Sequence, residues 1–352
     1  MSTNDDIANA LVSHQIGVQR LSTATVRKIL ALLKRSDVRL IERLSREGTT
    51  ELGRRRLERL IQDIRRIVES AHTDALGELV IDLNAFGEYE VDYQLDMFKA
   101  TVPVQLDFVR PSADQIVAAV NSRPFQGRIL KDWFKELSEG SFRRLRNTIR
   151  VGVVEGRTID QLVREIRGTR AQGFKDGILQ VNRRAAEATV RTAVAHTNNA
   201  ARDALYKRNT SLIEGLEWSA TLDGRTSAVC RGRDGKVFPV DKGPRPPAHP
   251  NCRSSMAPVL KSWKSLGIDL KEAPKGTRAS LNGQVSADFT YGDWLKRQPI
   301  EVQDDILGVT KGRLFRKGGL SMDRFIDRKG QELTLDQLRA KEADAWRKAG
   351  LS

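Results

Sequence analysis

Helical periodicity between about Ser22 and Ser70 constrains the fold more than any other feature of this chain. Apolar residues recur there at spacings of three and four, which is typical of amphipathic helices. The stripe consists of Val26, Ile29, Leu30, Leu33, Leu40, Ile41, Leu44, Leu57, Leu60, Ile61 and Ile64. Arginine and lysine occupy the opposite faces. Because polar breaks at 36–37 and 47–50 interrupt the spacing, the pattern predicts separate helices rather than a sustained coiled coil.

The middle of the chain alternates between irregular and helical segments. Residues 84–128 contain three prolines and predict a loop-rich connection with short helices, and hence a boundary between structural units. Helices are predicted over 130–154 and 182–208. Another should begin after Thr158, because a threonine followed three residues later by Gln161 forms a capping box.

The periodicity then changes to short strands. Strands are predicted at Leu216–Leu222 and Lys236–Val240, with Asp234-Gly235 as a hairpin turn between them, and a third at Ser255–Leu260. The tail predicts two short helices and a final one over Leu335–Lys348, with N-caps at Thr290 and Thr334.

These patterns predict a mainly α protein with a small α+β module. We expect a helical N-terminal region at 1–120, a module with a short β-hairpin or sheet at 121–262, and a small helical C-terminal extension at 263–352. With 352 residues, two or three structural units are the reasonable expectation.

Charge and cysteine content limit the function classes. The net charge of +15 favours contact with nucleic acid or an acidic protein surface. We expect neither a membrane segment nor a signal peptide, because the chain lacks a long apolar run and its N-terminus is polar. Two cysteines exclude a disulfide framework and fit a reducing compartment.

An arginine-rich helical face is the candidate contact for DNA or for a partner. Its members are Arg143, Arg144, Arg146 and Arg150. Guanidinium groups on such a face suit phosphates, without sequence specificity. The alternatives are a solvated helix surface and a contact with an acidic protein.

The densest cluster of unusual residues runs from Trp218 to Arg253. It reads W-S-A-T-L-D-G-R-T-S-A-V-C, then D-G-K-V-F, then P-P-A-H-P-N-C-R. Cysteine and neutral histidine are zinc ligands, and Cys230, His249 and Cys252 are the candidate set for a structural zinc ion. Asp223, Asp234 and His196 are candidates for a fourth ligand.

The order of these residues resembles the Mu-F-like phage head-morphogenesis domain, over roughly residues 125–262. The matching positions are Trp218, Asp223, Arg225, Thr226, Cys230, Asp234, Gly235, Pro246, Pro247, His249, Pro250, Asn251, Cys252 and Arg253. Two positions depart from the fuller pattern, because Ser227 and Ser254 stand where it has further cysteines. Besides zinc, a packed thiol pair and a Cys230–Cys252 disulfide formed in the released virion therefore remain open.

The resemblance implies a non-enzymatic minor head (capsid) protein acting at or near the portal in head morphogenesis, DNA packaging or DNA delivery. Its partners would be the portal protein and other head or neck proteins, with non-specific contact to phage DNA. It would reside in the virion, at the portal vertex or in the head interior, after assembly in the host cytoplasm. No catalytic residue is expected.

Two further function classes compete with this interpretation. A metal-dependent nuclease needs a general base and a metal with open positions, and with only four histidines no suitable constellation stands near the cluster. A packaged DNA-binding protein is compatible with the head-protein interpretation. For the cluster itself, we expect Trp218 in the core, Asp223 and Arg225 as a buried pair, and Arg253 bound to backbone carbonyls.

Overall fold

A computed structural model describes residues 3–47, 53–271, 277–280, 283–286 and 289–351. The helices are α1 (Thr3–Ser45), α2 (Arg54–Thr101), α3 (Ala113–Ser122), α4 (Leu130–Val154), α5 (Ile159–Arg167), α6 (Ile178–Arg208), α7 (Ala228–Arg233), α8 (Tyr291–Lys296), α9 (Ile300–Leu307), α10 (Val309–Arg316), α11 (Leu335–Lys341) and α12 (Ala343–Lys348). The strands are β1 (Ile213–Ser219), β2 (Val237–Phe238), β3 (Ser255–Leu260), β4 (Thr277–Ser280) and β5 (Gly283–Ser286). The predicted fold class, mainly α with a small β module, is confirmed.

The chain forms two compact units, and neither is a continuous stretch. Unit 1 comprises Met1–Gly17, Tyr89–Ala113 and Asn199–Ser352, and unit 2 comprises Val18–Glu88 and Asp114–Asn198. Three of the four boundaries fall inside α1, α2 and α6, and the fourth falls after the first residue of α3. The three-part division made from sequence remains a prediction about modules along the chain.

Unit 2 is held by apolar side chains from five helices, α1, α2, α4, α5 and α6. Its core contains Leu40, Leu44, Leu60, Ile64, Val68, Leu145, Ile149, Ile159, Leu162, Val163, Ile166 and Leu179. The stripe predicted from spacing is therefore the buried face of α1 and α2. Thr158 accepts a hydrogen bond from the amide of Gln161 and completes the predicted capping box.

Unit 1 contains a small antiparallel sheet of order β2-β1-β3. The register pairs Leu216 with Phe238 and with Pro258, so β1 is the central strand. A second apolar cluster joins Leu222 to the C-terminal helices, where Tyr291, Trp294 and Phe315 are buried. The C-terminal helices therefore pack around one apolar cluster, which also includes a residue from the segment that follows β1.

The predicted loop over residues 84–101 was wrong, because α2 continues to Thr101. Glu90 and Gln94 lie fully buried on its inner face, and these polar residues concealed the helical period. Pro103 lies just beyond the end of the helix, as expected for a residue that disfavours helix before it.

Three smaller expectations were also wrong. Helix α1 runs unbroken through 36–37, where Ser36 is buried on the inner face. The hairpin between β1 and β2 is interrupted by α7, and the last helix is divided at Glu342 into α11 and α12. The β4–β5 hairpin was not predicted.

Candidate metal centre

The candidate ligands lie on two segments that flank the sheet of unit 1. Cys230 is in the short helix α7, between β1 and β2, and His249 and Cys252 lie on the proline-rich segment that leads into β3. We call residues 213–260 the clasp, from the start of β1 to the end of β3. Because β1 pairs with both β2 and β3, the sheet brings the two ligand segments together.

The three candidate ligand atoms converge as the sequence predicted. Sγ of Cys230 lies 3.4 Å from Nε2 of His249 and 3.7 Å from Sγ of Cys252. All three atoms lie within 4.8 Å of one another. In a tetrahedral zinc site, bond lengths of about 2.3 Å to sulfur and about 2.0 Å to nitrogen place the ligand atoms about 3.5 to 3.8 Å apart. The residues present therefore fit a zinc ion.

The histidine is already oriented as a ligand. Its Nδ1 donates a hydrogen bond of 2.8 Å to the carbonyl of Pro250, which leaves the lone pair of Nε2 facing the two sulfurs. A backbone carbonyl on the second ring nitrogen is the usual outer partner of a metal-bound histidine.

The electrostatics favour a negative charge on the cysteine pair. The hydrogen bond from Cys230 and the neighbouring His249 lower the pKa of the Cys252 thiol despite its burial. The hydrogen bond to Cys252 in turn raises the pKa of His249. Cys230 and Cys252 are only 1% and 2% exposed, so the centre is closed to solvent on the sulfur side. A buried thiolate is an effective zinc ligand, and a cation there would balance its charge.

Asp223 and Arg253 anchor the clasp by a bidentate ion pair. Both Nη atoms of Arg253 donate to the carboxylate, at 2.6 and 2.7 Å. The expected buried pair of Asp223 with Arg225 was wrong, because the Arg225 side chain is 84% exposed and its nearest approach is 3.9 Å. Arg253 was expected to bind backbone carbonyls, but it is the ion-pair partner of Asp223 instead. Two parallel bonds fix a guanidinium more firmly than one long contact.

Asp234, Gly235 and Trp218 form the turn where α7 meets β2. Asp234 accepts hydrogen bonds from the amides of Ala220 and Tyr291, both at 2.7 Å. Gly235 has a φ of +76°, and its amide donates to the carbonyl of Trp218. Trp218 is fully buried, as predicted. Asn251, next to Pro250, also adopts a positive φ of 58°.

None of the predicted fourth ligands joins the three converging atoms. Among the described residues, the group that could hold a metal consists of Cys230, His249 and Cys252. Asp223 and Asp234 are occupied by the hydrogen bonds above. His196, in unit 2, stacks on Phe125 with ring centroids 4.7 Å apart.

Sequence reasoning missed Arg245, which organises the proline-rich segment. Its side chain forms an ion pair with Asp203 at 2.9 Å. It also donates to the backbone carbonyls of Pro239, Val240, Lys242 and Pro244. An arginine between prolines was the available signal, because such a segment has few amides and few apolar groups with which to order itself.

A second missed feature of unit 1 is a buried charge network. Glu90 lies 2.6 Å from Nε of Arg202 and 2.7 Å from Nε2 of His14, and all three residues are far apart in sequence. Gln94 donates to the same carboxylate. This network stabilises the fold around α2 and α6.

The arginine-rich face lies in unit 2, and its members differ in availability. Arg150 forms an ion pair with Glu58 at 3.0 Å, and Arg144 donates to Asn182 at 2.8 Å. Arg146 lies over the ring of Phe142. Arg143 is exposed. Arg144, Arg146 and Arg150 thus have partners within the unit.

No helix in the described part of the chain combines the length and hydrophobicity that membrane crossing requires. The chain was then compared with known proteins. Neither the curated proteins nor the solved structures contained a match. A family model described as phage Mu protein F like protein matches residues 143–257, a segment that begins in α4 and ends in β3 and contains the three candidate ligands. Residues 143–257 are therefore similar to the phage Mu protein F-like family, in agreement with the resemblance seen in the sequence.

Proposed function

We propose that this protein is a minor head protein that acts at or near the portal, in head morphogenesis, DNA packaging or DNA delivery. The observation that carries the proposal is the family match over residues 143–257, since that family implies a phage head-morphogenesis protein in the virion with other head proteins as partners. The clasp lies almost wholly inside the matched segment. It would serve as a rigid element presented to a partner.

The closed geometry of the clasp supports a structural role over catalysis. A metal-dependent nuclease needs a metal with open positions beside the scissile phosphate. The two sulfurs are buried, and His249 is oriented by a backbone carbonyl instead of by an acid or base. Buried sulfurs and a histidine fixed by a backbone carbonyl suit a structural metal site, in which the ligands hold two segments of the chain together.

We further propose that Cys230, His249 and Cys252 hold a structural zinc ion. The ion would link α7 to the proline-rich segment, and its chemistry would be that of a crosslink. We expect about one zinc per chain, and we expect Cys252→Ser to lose the metal and to destabilise unit 1, because structural zinc contributes directly to folding. Metal analysis of the pure protein and a urea titration measure both effects. A metal-free chain with a Cys230–Cys252 disulfide would contradict the zinc proposal.

The head role is tested by binding to the portal protein encoded by the same phage. We expect the wild-type chain to be retained by immobilised portal, and Cys252→Ser to be retained less. Arg225→Met is the matched control, because this exposed side chain lies in the clasp without a close partner. A folded wild-type chain that fails to bind portal and every other head or neck protein of that phage would refute the role.

Contact with DNA is the second candidate, favoured by the net charge of +15. Arg143 is exposed, and the half-buried Arg146 contacts the ring of Phe142 and the side chain of Asn147. If these two arginines bind phosphates, replacing both with alanine should reduce the slope of log K against log salt by about 2. Arg150→Ala is the informative comparison, because that side chain is already paired with Glu58.

A further inference from the structure

Ser227 is the N-cap residue of α7, immediately before Ala228, but its side chain does not cap the helix. Its backbone has the extended geometry of an N-cap, with φ −69° and ψ 159°, yet its side chain accepts no bond from the helix amides. Serine is favoured at this position because its oxygen normally accepts such a bond. The hydroxyl is therefore directed elsewhere.

The Ser227 hydroxyl faces the candidate centre. It interacts with the Cys230 thiol, and its Oγ is buried without a well-formed hydrogen bond to any described residue. A buried hydroxyl without a well-formed hydrogen bond costs free energy relative to one that has such a bond. A metal ion at the centre would remove that cost by taking the oxygen as a ligand.

The spacing of the residues points the same way. Ser227 precedes Cys230 by three positions, as His249 precedes Cys252, and residues 231–248 separate the two pairs. Many zinc sites consist of two such pairs of ligands. Within each pair two residues separate the ligands, and roughly 15 to 20 residues separate the two pairs. Ser227 thus occupies the position that a fourth ligand would take.

We propose that Ser227 Oγ fills the fourth position of the metal centre, giving a set of two sulfurs, one nitrogen and one hydroxyl oxygen. This inference rests on the zinc centre proposed above and is independent of the role at the portal. A neutral hydroxyl is a weaker zinc ligand than a thiolate. The centre therefore holds its ion less tightly than a site with three cysteines and one histidine, and exchanges it more readily.

Cobalt substitution of the full-length chain tests the assignment. We expect wild type to bind one Co²⁺ with a tetrahedral spectrum and the charge-transfer band of two thiolates. In Ser227→Cys that band should rise by about half, because three thiolates replace two. Transfer of zinc from this variant to a chelating dye should be at least about tenfold slower, and from Ser227→Ala several-fold faster, than from wild type.

Ser254→Cys is the matched control, because Ser254 also interacts with the Cys230 thiol and is buried. We expect its cobalt band and zinc transfer to match wild type. An increase in Ser254→Cys but not in Ser227→Cys would overturn the assignment, as would unchanged zinc transfer in Ser227→Ala. Circular dichroism identifies any variant that fails to fold. A wild-type chain that takes up no metal would overturn the zinc centre itself, whatever the outcome of portal binding.

Discussion

Replacing Arg245 with methionine should destabilise unit 1 although it removes no part of the apolar core. The Arg245 side chain is 10% exposed and its partner Asp203 is 4% exposed. Methionine keeps much of the aliphatic length and removes the charge and all donors. The substitution removes the Arg245 counter-charge from the buried Asp203. It also removes the guanidinium donor from four carbonyls of the proline-rich segment.

The magnitude follows from the buried ion pair. Removing one partner of such a pair costs about 3 to 5 kcal/mol. Lys207 also contacts Asp203, at 3.1 Å, so the carboxylate keeps one counter-charge after the substitution. The carbonyls lie near the surface, where water replaces some of the lost bonds. We therefore expect a loss of about 3 kcal/mol, which corresponds to a fall in Tm of about 6 to 12 °C for a body of this size.

Urea titration followed by tryptophan fluorescence measures the effect. Four of the five tryptophans, at positions 218, 263, 294 and 346, belong to unit 1, so the signal reports mainly on that unit. Arg225→Met is the control, since it makes the same change at an exposed clasp residue and should alter the free energy of unfolding by less than about 0.5 kcal/mol. If the two variants unfold alike, Arg245 does not organise the segment and the reasoning from its contacts is refuted.

Three other variants test separate parts of the structure. Glu90→Gln leaves the buried Arg202 without its counter-charge and should cost unit 1 about 3 to 5 kcal/mol in a urea titration, whereas exposed Asp96→Asn should be neutral. Asp234→Asn keeps one of two acceptors for backbone amides and should cost about 1 to 3 kcal/mol, measured in the same way. Burial raises the pKa of Asp37 to about 6, so its folded pKa exceeds the unfolded value and its contribution to stability is lost as pH rises through 6. Asp37→Asn should therefore stabilise unit 2 by about 1 to 2 kcal/mol at neutral pH and have no benefit below about pH 4, as read from urea titrations followed by circular dichroism; equal effects at both pH values would contradict this.

Local chemistry made part of the structure predictable from sequence. The caps at Thr158, Thr290 and Thr334 are all present, because a capping box depends only on residues three positions apart. Strand β3 has the predicted bounds. The convergence of Cys230, His249 and Cys252 was also predicted, from residue types and from the family resemblance.

The failures arise where distant residues decide the outcome. Periodicity reasoning treats a polar residue as a surface residue, but Glu90 is buried because Arg202 and His14 compensate its charge. The partner of Asp223 was misassigned for a related reason. Arg225 is nearer in sequence, but the sheet register places Arg253, two residues before β3, against the carboxylate.

The physical unit that contains the clasp extends beyond the family match, which ends at residue 257. Asp234 binds the amide of Tyr291, whose hydroxyl donates to the carbonyl of Asp223, and Arg231 donates to the carbonyl of Ile306. Leu222 belongs to the same apolar cluster as the C-terminal helices. These contacts to the C-terminal helices add to the rigidity that the sheet and the polar hydrogen bonds give the clasp. The tail therefore forms part of the structure that holds the three candidate ligands in place, and a fragment limited to the matched segment would lack these contacts.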